Sequence, residues 1–149
     1  MQLDRYFLYE TNPQYLIYKF HSDGCNGHIM KIIEYTRIQE KPEPVYNLAF
    51  GDINIQTGTI DDFSVSNNGD RDKILATVAA TVIAFTDHYP GALIFAQGST
   101  ASRTRLYRMS IAKHHNEISG IFDIYGFIKD QWEPFKPDGA YAAFLAKRK

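Results

Sequence analysis

The segment GALIFAQGSTASRTRLYRMSIAK, residues 91–113, changes its character half-way along. Leu93–Ala96 is a short apolar run between Gly91 and Gly98, the pattern of a buried strand. Gly98-Ser99-Thr100 then supplies a turn and a hydroxyl cap, and the residues from Ala101 to about His115 suit a helix. A strand that feeds a helix in this way aims backbone N–H groups at the space above the turn. The helix dipole favours negative charge at the same place. Three arginines, Arg103, Arg105 and Arg108, follow within the first turns.

Working outward, the first half of the chain reads as strands. Tyr15–Phe20 and His28–Tyr35 are rich in Tyr, Ile and Phe and predict a hairpin around a Ser22–Gly27 loop. Beyond the extended Lys41-Pro42-Glu43-Pro44 stretch, Val45–Phe50 and Ile60–Val65 predict a second pair turned at Thr57-Gly58. Asn67-Asn68-Gly69-Asp70 ends that sheet, with Asp70 a good N-cap. Ile74, Leu75, Val78, Val82, Phe85 and Tyr89 then recur at three- and four-residue spacing, one apolar helix face that Pro90-Gly91 terminates. Ile121–Ile128 predicts a further strand, and Tyr141–Ala146 an edge strand or a short helix. The expectation is a single α+β domain over residues 1–149: a mainly antiparallel β-sheet with two helices packed on it.

Composition narrows the function classes. The formal net charge is −1, which argues against a protein whose whole surface binds polyanions. The charge is uneven, however: residues 1–72 carry six Lys/Arg against eleven Asp/Glu, and residues 73–149 carry ten against six. An anionic partner should therefore meet the C-terminal half. Cys25 is the single cysteine, so an internal disulfide and a Cys-rich metal framework are excluded. The first residues lack the basic start and apolar run of a signal peptide, and no apolar tract is long enough to span a bilayer. These features predict a soluble, cytoplasmic protein with no membrane partner.

Five residue groups are candidates for chemistry. Ser99, Thr100, Arg103, Arg105 and Arg108 form a candidate anion site for phosphate, carboxylate or nucleic acid, with Arg103 or Arg105 as a bidentate clamp. On a helix Arg105 and Arg108 share a face while Arg103 points elsewhere. The plainer reading has Ser99 or Thr100 cap the helix while Arg103 or Arg105 bridges to Asp61, Asp62 or Asp70. The segment lacks the Lys-Ser/Thr and glycine spacing of a phosphate-binding nucleotidase loop. Asp61, Asp62, Asp70 and Asp72 gather acid beside Asn67 and Asn68, but their spacing does not match a calcium loop, and helix capping accounts for half of them. His21, Cys25 and His28 have the spacing of three zinc ligands, without a second cysteine to strengthen it. His114-His115 before Glu117 suit a helix C-terminus. Finally, Tyr125, Phe127, Trp132 and Phe135 lie near Lys129 and Lys136, an arrangement that suits core packing, base stacking or a homodimer interface. Gly126 among them signals a bulge or a close backbone approach.

The run Asn67-Asn68-Gly69-Asp70-Arg71-Asp72-Lys73-Ile74-Leu75-Ala76-Thr77-Val78, with Gly98-Ser99-Thr100 and Arg103-Thr104-Arg105-Leu106-Tyr107, resembles a family of small uncharacterised bacterial proteins. The similarity covers nearly the whole chain. It implies one compact domain, and it carries over no catalytic residue.

No nucleophile–base pair, metal set or cofactor loop is legible. The expectation is therefore a binding module that takes an anion at Gly98–Arg108, with a homodimer as a further candidate. The alternative is a small enzyme that holds a phosphorylated or carboxylated substrate by Arg103 and Arg105, with an Asp or His as general base.

Overall fold

A computed structural model describes residues 5, 6, 8, 10–25, 27–53, 60–61 and 71–149, with backbone alone at 10, 60, 61 and 71. The elements are β1 (Glu10–Thr11), β2 (Ile17–Gly24), β3 (Gly27–Gln39), β4 (Val45–Ile53), β5 (Ile60–Asp61), α1 (Arg71–His88), β6 (Leu93–Ala96), α2 (Ala101–Lys113), α3 (His115–Ile118), β7 (Phe122–Ile128), β8 (Gln131–Pro134) and β9 (Ala143–Arg148). The class is α+β with mostly antiparallel strand pairing; β4 and β6 run parallel. Two helices were expected, and the described residues form three. The chain leaves α2 at His114 and makes one further short turn, α3, in place of continuing to His115. These elements group into two compact units, one from Gln2–Thr36 and Ala49–His88, the other from Arg37–Leu48 and Tyr89–Lys149.

In the N-terminal unit, β1, β2 and β3 pair antiparallel, and β5 pairs with the end of β4. The hairpin is tighter than the expected Ser22–Gly27 loop. Gly24 pairs with Gly27, so only two residues connect the strands, and Gly27 takes a positive φ of 96°. Ser22 is a fully buried strand residue. Strict alternation along β2 buries Tyr18, Phe20 and Ser22, the period-two signature of a sheet with one covered face. Phe20 stacks between Tyr6 and Phe50, with ring centroids 5.6 and 6.3 Å away.

The helix α1 departs from its expected face. Phe85 is buried as predicted, but Ile74, Leu75, Val78 and Val82 are only half-buried. The fully buried stripe is Thr77, Thr81 and Phe85, joined by Thr86. Each threonine hydroxyl donates to a carbonyl of its own helix: Thr77 to Lys73 at 2.8 Å, Thr81 to Val78 at 2.7 Å, Thr86 to Val82 at 2.8 Å. Polar atoms so satisfied can be buried at little cost, and the methyl groups pack as a valine's would. The oxygens still accept from outside the helix. Tyr6 N–H donates to Thr77 Oγ1 at 2.9 Å, and Tyr35 and Thr81 hydroxyls lie 2.9 Å apart. Because Thr81 gives its only proton to Val78, Tyr35 is the donor in that pair. Burial holds the Tyr35 phenol well above its ordinary ionisation range. The Asp70 cap, the Thr57-Gly58 turn and residues 62–65 of the expected strand lie outside the described residues.

A second polar pair is set in the same unit. Lys31 on β3 is 5% exposed, pairs with Asp52 on β4, and lies 5.9 Å from the Phe50 ring centroid. Neither charge announced itself in the sequence, because a lysine in a strand normally faces water.

The C-terminal unit joins β4, β6, β9, β7 and β8 in that order, the first pair parallel and the rest antiparallel. The last element, expected as an edge strand or a short helix, is an interior strand: β9 bridges β6 and β7. Its position follows from its residues, since Ala143 and Phe144 are buried and a central strand tolerates no charge at those positions. One face of this sheet packs against α2. Phe135, Tyr141 and Phe144 form the buried centre, with Tyr107, Ile111 and Ala112 of α2 and Ile124 and Ile128 of β7 against them. At Gly126, where a bulge or a close backbone approach was expected, the group that comes close is a side chain: a Cβ there would fall inside the Tyr141 ring, and so would one on Gly139. The Tyr141 hydroxyl accepts from Lys136 N–H at 3.0 Å and donates to Glu133 at 2.9 Å. Between β7 and β8, Lys129 and Asp130 both take positive φ, 51° and 61°, the two-residue turn whose twist suits a tight hairpin. Among the described residues no helix is long and apolar enough to cross a membrane.

Two outcomes follow from the N-terminal unit. A phenol whose folded ionisation is raised stabilises the fold below its unfolded value near 10, and that stability is lost as pH climbs further. Urea unfolding of the wild type should therefore lose about 1.4 kcal/mol per pH unit above 10 relative to Tyr35→Phe. Lys31→Met should cost about 3–5 kcal/mol by stranding Asp52, and Lys31→Met with Asp52→Leu should recover most of it. Equal losses in the single and double variants would show that the ion pair itself carries the stability.

Candidate functional site

The strand–turn–helix read from residues 91–113 is present, and all five candidate anion-site residues lie in the C-terminal unit. Thr100 is the N-cap of α2, extended at φ −134° and ψ 163°, with its hydroxyl accepting from Arg103 N–H at 3.2 Å. Its carbonyl accepts from Thr104 N–H at 3.1 Å, the first bond of the helix. The Thr104 hydroxyl donates to the same carbonyl and accepts from Gly98 N–H, each at 3.1 Å. Thr104 is buried, so this side chain ties the turn before the helix to the helix itself. Gly98 must be glycine here. A Cβ would stand 2.7 Å from Arg103 Cβ and closer still to Thr104 N, and backbone cannot yield as a flexible side chain can.

This bonding decides which amides remain at the helix end. Gly98 and Arg103 N–H groups are engaged internally, whereas Ala101 and Ser102, both exposed, sit ahead of the first intrahelical bond. Ser99 is exposed beside them. The first turn of α2 carries no acidic side chain, the opposite of what a helix stabilised against its own dipole would choose.

The three arginines part company. Arg105 is exposed and has no ion-pair partner among the described residues; Arg103 is half-buried. Arg108, also half-buried, donates to the Pro137 carbonyl at 3.1 Å and so fixes the segment joining β8 to β9 against α2. A role for Arg108 in tethering that segment was not visible in the sequence, since its acceptor is a backbone oxygen 29 residues away. The aspartates expected to bridge the arginines, Asp62 and Asp70, lie outside the described residues, as does the Asp61 side chain; Asp72 is exposed in the first turn of α1.

The other candidates separate in the same way. His21 and His28 face each other across the hairpin, rings stacked with centroids 4.1 Å apart, and His28 Nδ1 pairs with Asp23. Cys25 is exposed at the hairpin tip. Among the described residues no group of three His, Cys, Asp or Glu side chains could hold a metal ion. His114 is the C-cap of α2 and is buried, and His115 begins α3 against Phe135 at 5.3 Å. The aromatic group divides: Phe135 is core, whereas Tyr125 and Trp132 are exposed on the face of the sheet away from α2.

Comparison with known proteins adds one finding. A model of a family of unknown function, DUF6934, matches residues 2–149, the whole of the chain but its first residue. The chain belongs to that family. No curated protein and no solved structure matches it. Membership agrees with the resemblance drawn from the two motifs and assigns no activity to any of the residues above.

Gly98→Ala should lower the melting temperature by the equivalent of about 1–3 kcal/mol through its backbone clash. Thr100→Ala should cost about 1 kcal/mol as a lost cap. Thermal unfolding of both purified variants measures this, and an unchanged Gly98→Ala would refute the close approach.

Proposed function

We propose that this protein is a binding module that takes an anionic group at the amino end of α2. The observation that carries this reading is that Ala101 and Ser102 are exposed residues whose amides precede the first intrahelical bond, beside a turn fixed by Thr100 and Thr104. A site of this kind is preorganised: ordering the turn costs nothing when the ligand arrives, because Thr100 and Thr104 have already fixed it. Ser99 adds a hydroxyl beside the amides. Arg105 supplies charge one turn along, and Arg103, at the third helical position, adds to the potential at the same end. Arg108 contributes to that potential while holding the β8–β9 segment. The absence of acid from the first turn leaves the dipole uncompensated, which an incoming phosphate or carboxylate would correct.

The test is thermal shift in inorganic phosphate against chloride at matched ionic strength, with a short single-stranded oligonucleotide as a second probe. A ligand at about tenfold its Kd stabilises by about 1.4 kcal/mol, a rise of about 3–6 °C for a chain of this size. Arg105→Ala should remove most of that rise while leaving the ligand-free melting temperature unchanged. No rise with either probe would sink the proposal.

A further inference from the structure

The sheet of the C-terminal unit has a second face, and its register defines it. Residues of β6, β9 and β7 alternate, so Ile94, Ala146 and Ile124 turn toward α2 while Phe95, Leu145 and Tyr125 line up on the other side. Two residues along the strands, Phe127 and Trp132 stand opposite each other on the same side. Their rings meet at 5.1 Å, and Phe95 reaches Trp132 edge-on at 6.2 Å. The result is a connected aromatic surface that is not closed over: Tyr125 is 36% and Trp132 39% exposed.

The charges around this surface say what fits it. Lys147 pairs with Glu43 at 3.6 Å and Lys149 with Asp123 at 3.9 Å, so the rim is balanced in sign and offers a polyanion no net attraction. Lys147 and Asp123 are direct register partners on β9 and β7. They straddle the midline of the four strands β6, β9, β7 and β8. A two-fold axis along that midline would set Lys147 of each copy over Asp123 of the other. It would also lay Leu145 on Tyr125. A surface with one cation and one anion placed symmetrically about its midline is complementary to itself.

We infer that this face docks a second copy of the same chain, sheet against sheet, about an axis running between β9 and β7. Aromatic side chains then form the dry centre and the Lys147–Asp123 pairs the rim, the usual division of a stable interface. The surface lies on the side of the sheet away from α2, so this inference stands apart from the anion site.

Sedimentation of the full chain from about 1 µM to about 100 µM should show its mass rising from 17.1 kDa toward twice that value. Trp132→Glu should remain monomeric with an unchanged far-ultraviolet spectrum. Lys147→Asp should weaken association about tenfold or more, and Lys147→Asp with Asp123→Lys should restore it, since the exchanged pair is again complementary. The charge exchange decides the matter even if Trp132→Glu fails to fold. A chain that stays monomeric throughout overturns the inference, as does association indifferent to the charge exchange. Trp132 is the sole tryptophan, so quenching of its fluorescence in a monomer by a single-stranded oligonucleotide would give the face to bases instead.

Discussion

The ring of Tyr141 fills a space that exists only because Gly126 and Gly139 have no side chains. Much of the C-terminal unit hangs on that contact. The ring lies against β7, its hydroxyl holds Glu133 of β8 and the Lys136 amide, and the chain then passes directly into β9. Three strands and their connection are thereby tied to one side chain. The same contact fixes which side of the sheet becomes core, because Phe135 and Phe144 pack against Tyr141 beneath α2. Once that side is settled, strict alternation consigns Tyr125, Phe127 and Trp132 to the other.

The N-terminal unit is organised on a different principle, buried polar groups of α1 bonded both to their own helix and to residues outside it. Thr77 and Thr81 each bond to their own helix and to a tyrosine residue outside it, by backbone at Tyr6 and by hydroxyl at Tyr35. Lys31 and Asp52 add a buried ion pair beside the Phe20–Phe50 stack. Such bonds have definite directions where apolar contacts have none, so they select one rotation of α1 over its neighbours in angle. An all-valine face would bury as much surface and specify the helix less.

Most of the element types were legible in the sequence, and the misses have physical causes. The β2–β3 hairpin, α1, β6 and the capped start of α2 each carried a local signal: alternation, helical spacing, or a hydroxyl at the cap. The β8 strand did not. Its turn uses Lys129-Asp130 in a conformation that ordinarily advertises itself by Asn or Gly, so the residues that make the turn look like solvent-exposed chain. The threonine stripe of α1 was hidden because hydropathy scores a threonine as polar whether or not its hydroxyl is already bonded. The interior place of β9 was set by partners far away in the chain, which periodicity cannot report. At the candidate site, Thr100 and the arginines could be named, but their division of labour could not. It depends on acceptors at Thr104 and Pro137 that only the folded chain brings within reach.

The sheet order ends on β8, and β8 is short and finishes on Pro134. Proline has no amide proton to donate, so a further strand laid along this margin would find a broken ladder after three residues. Lateral polymerisation, in which copies join strand to strand without limit, is therefore discouraged at the very margin that carries the exposed Trp132. A protein can display an aromatic sheet in water and remain dispersed when growth by its backbone is blocked.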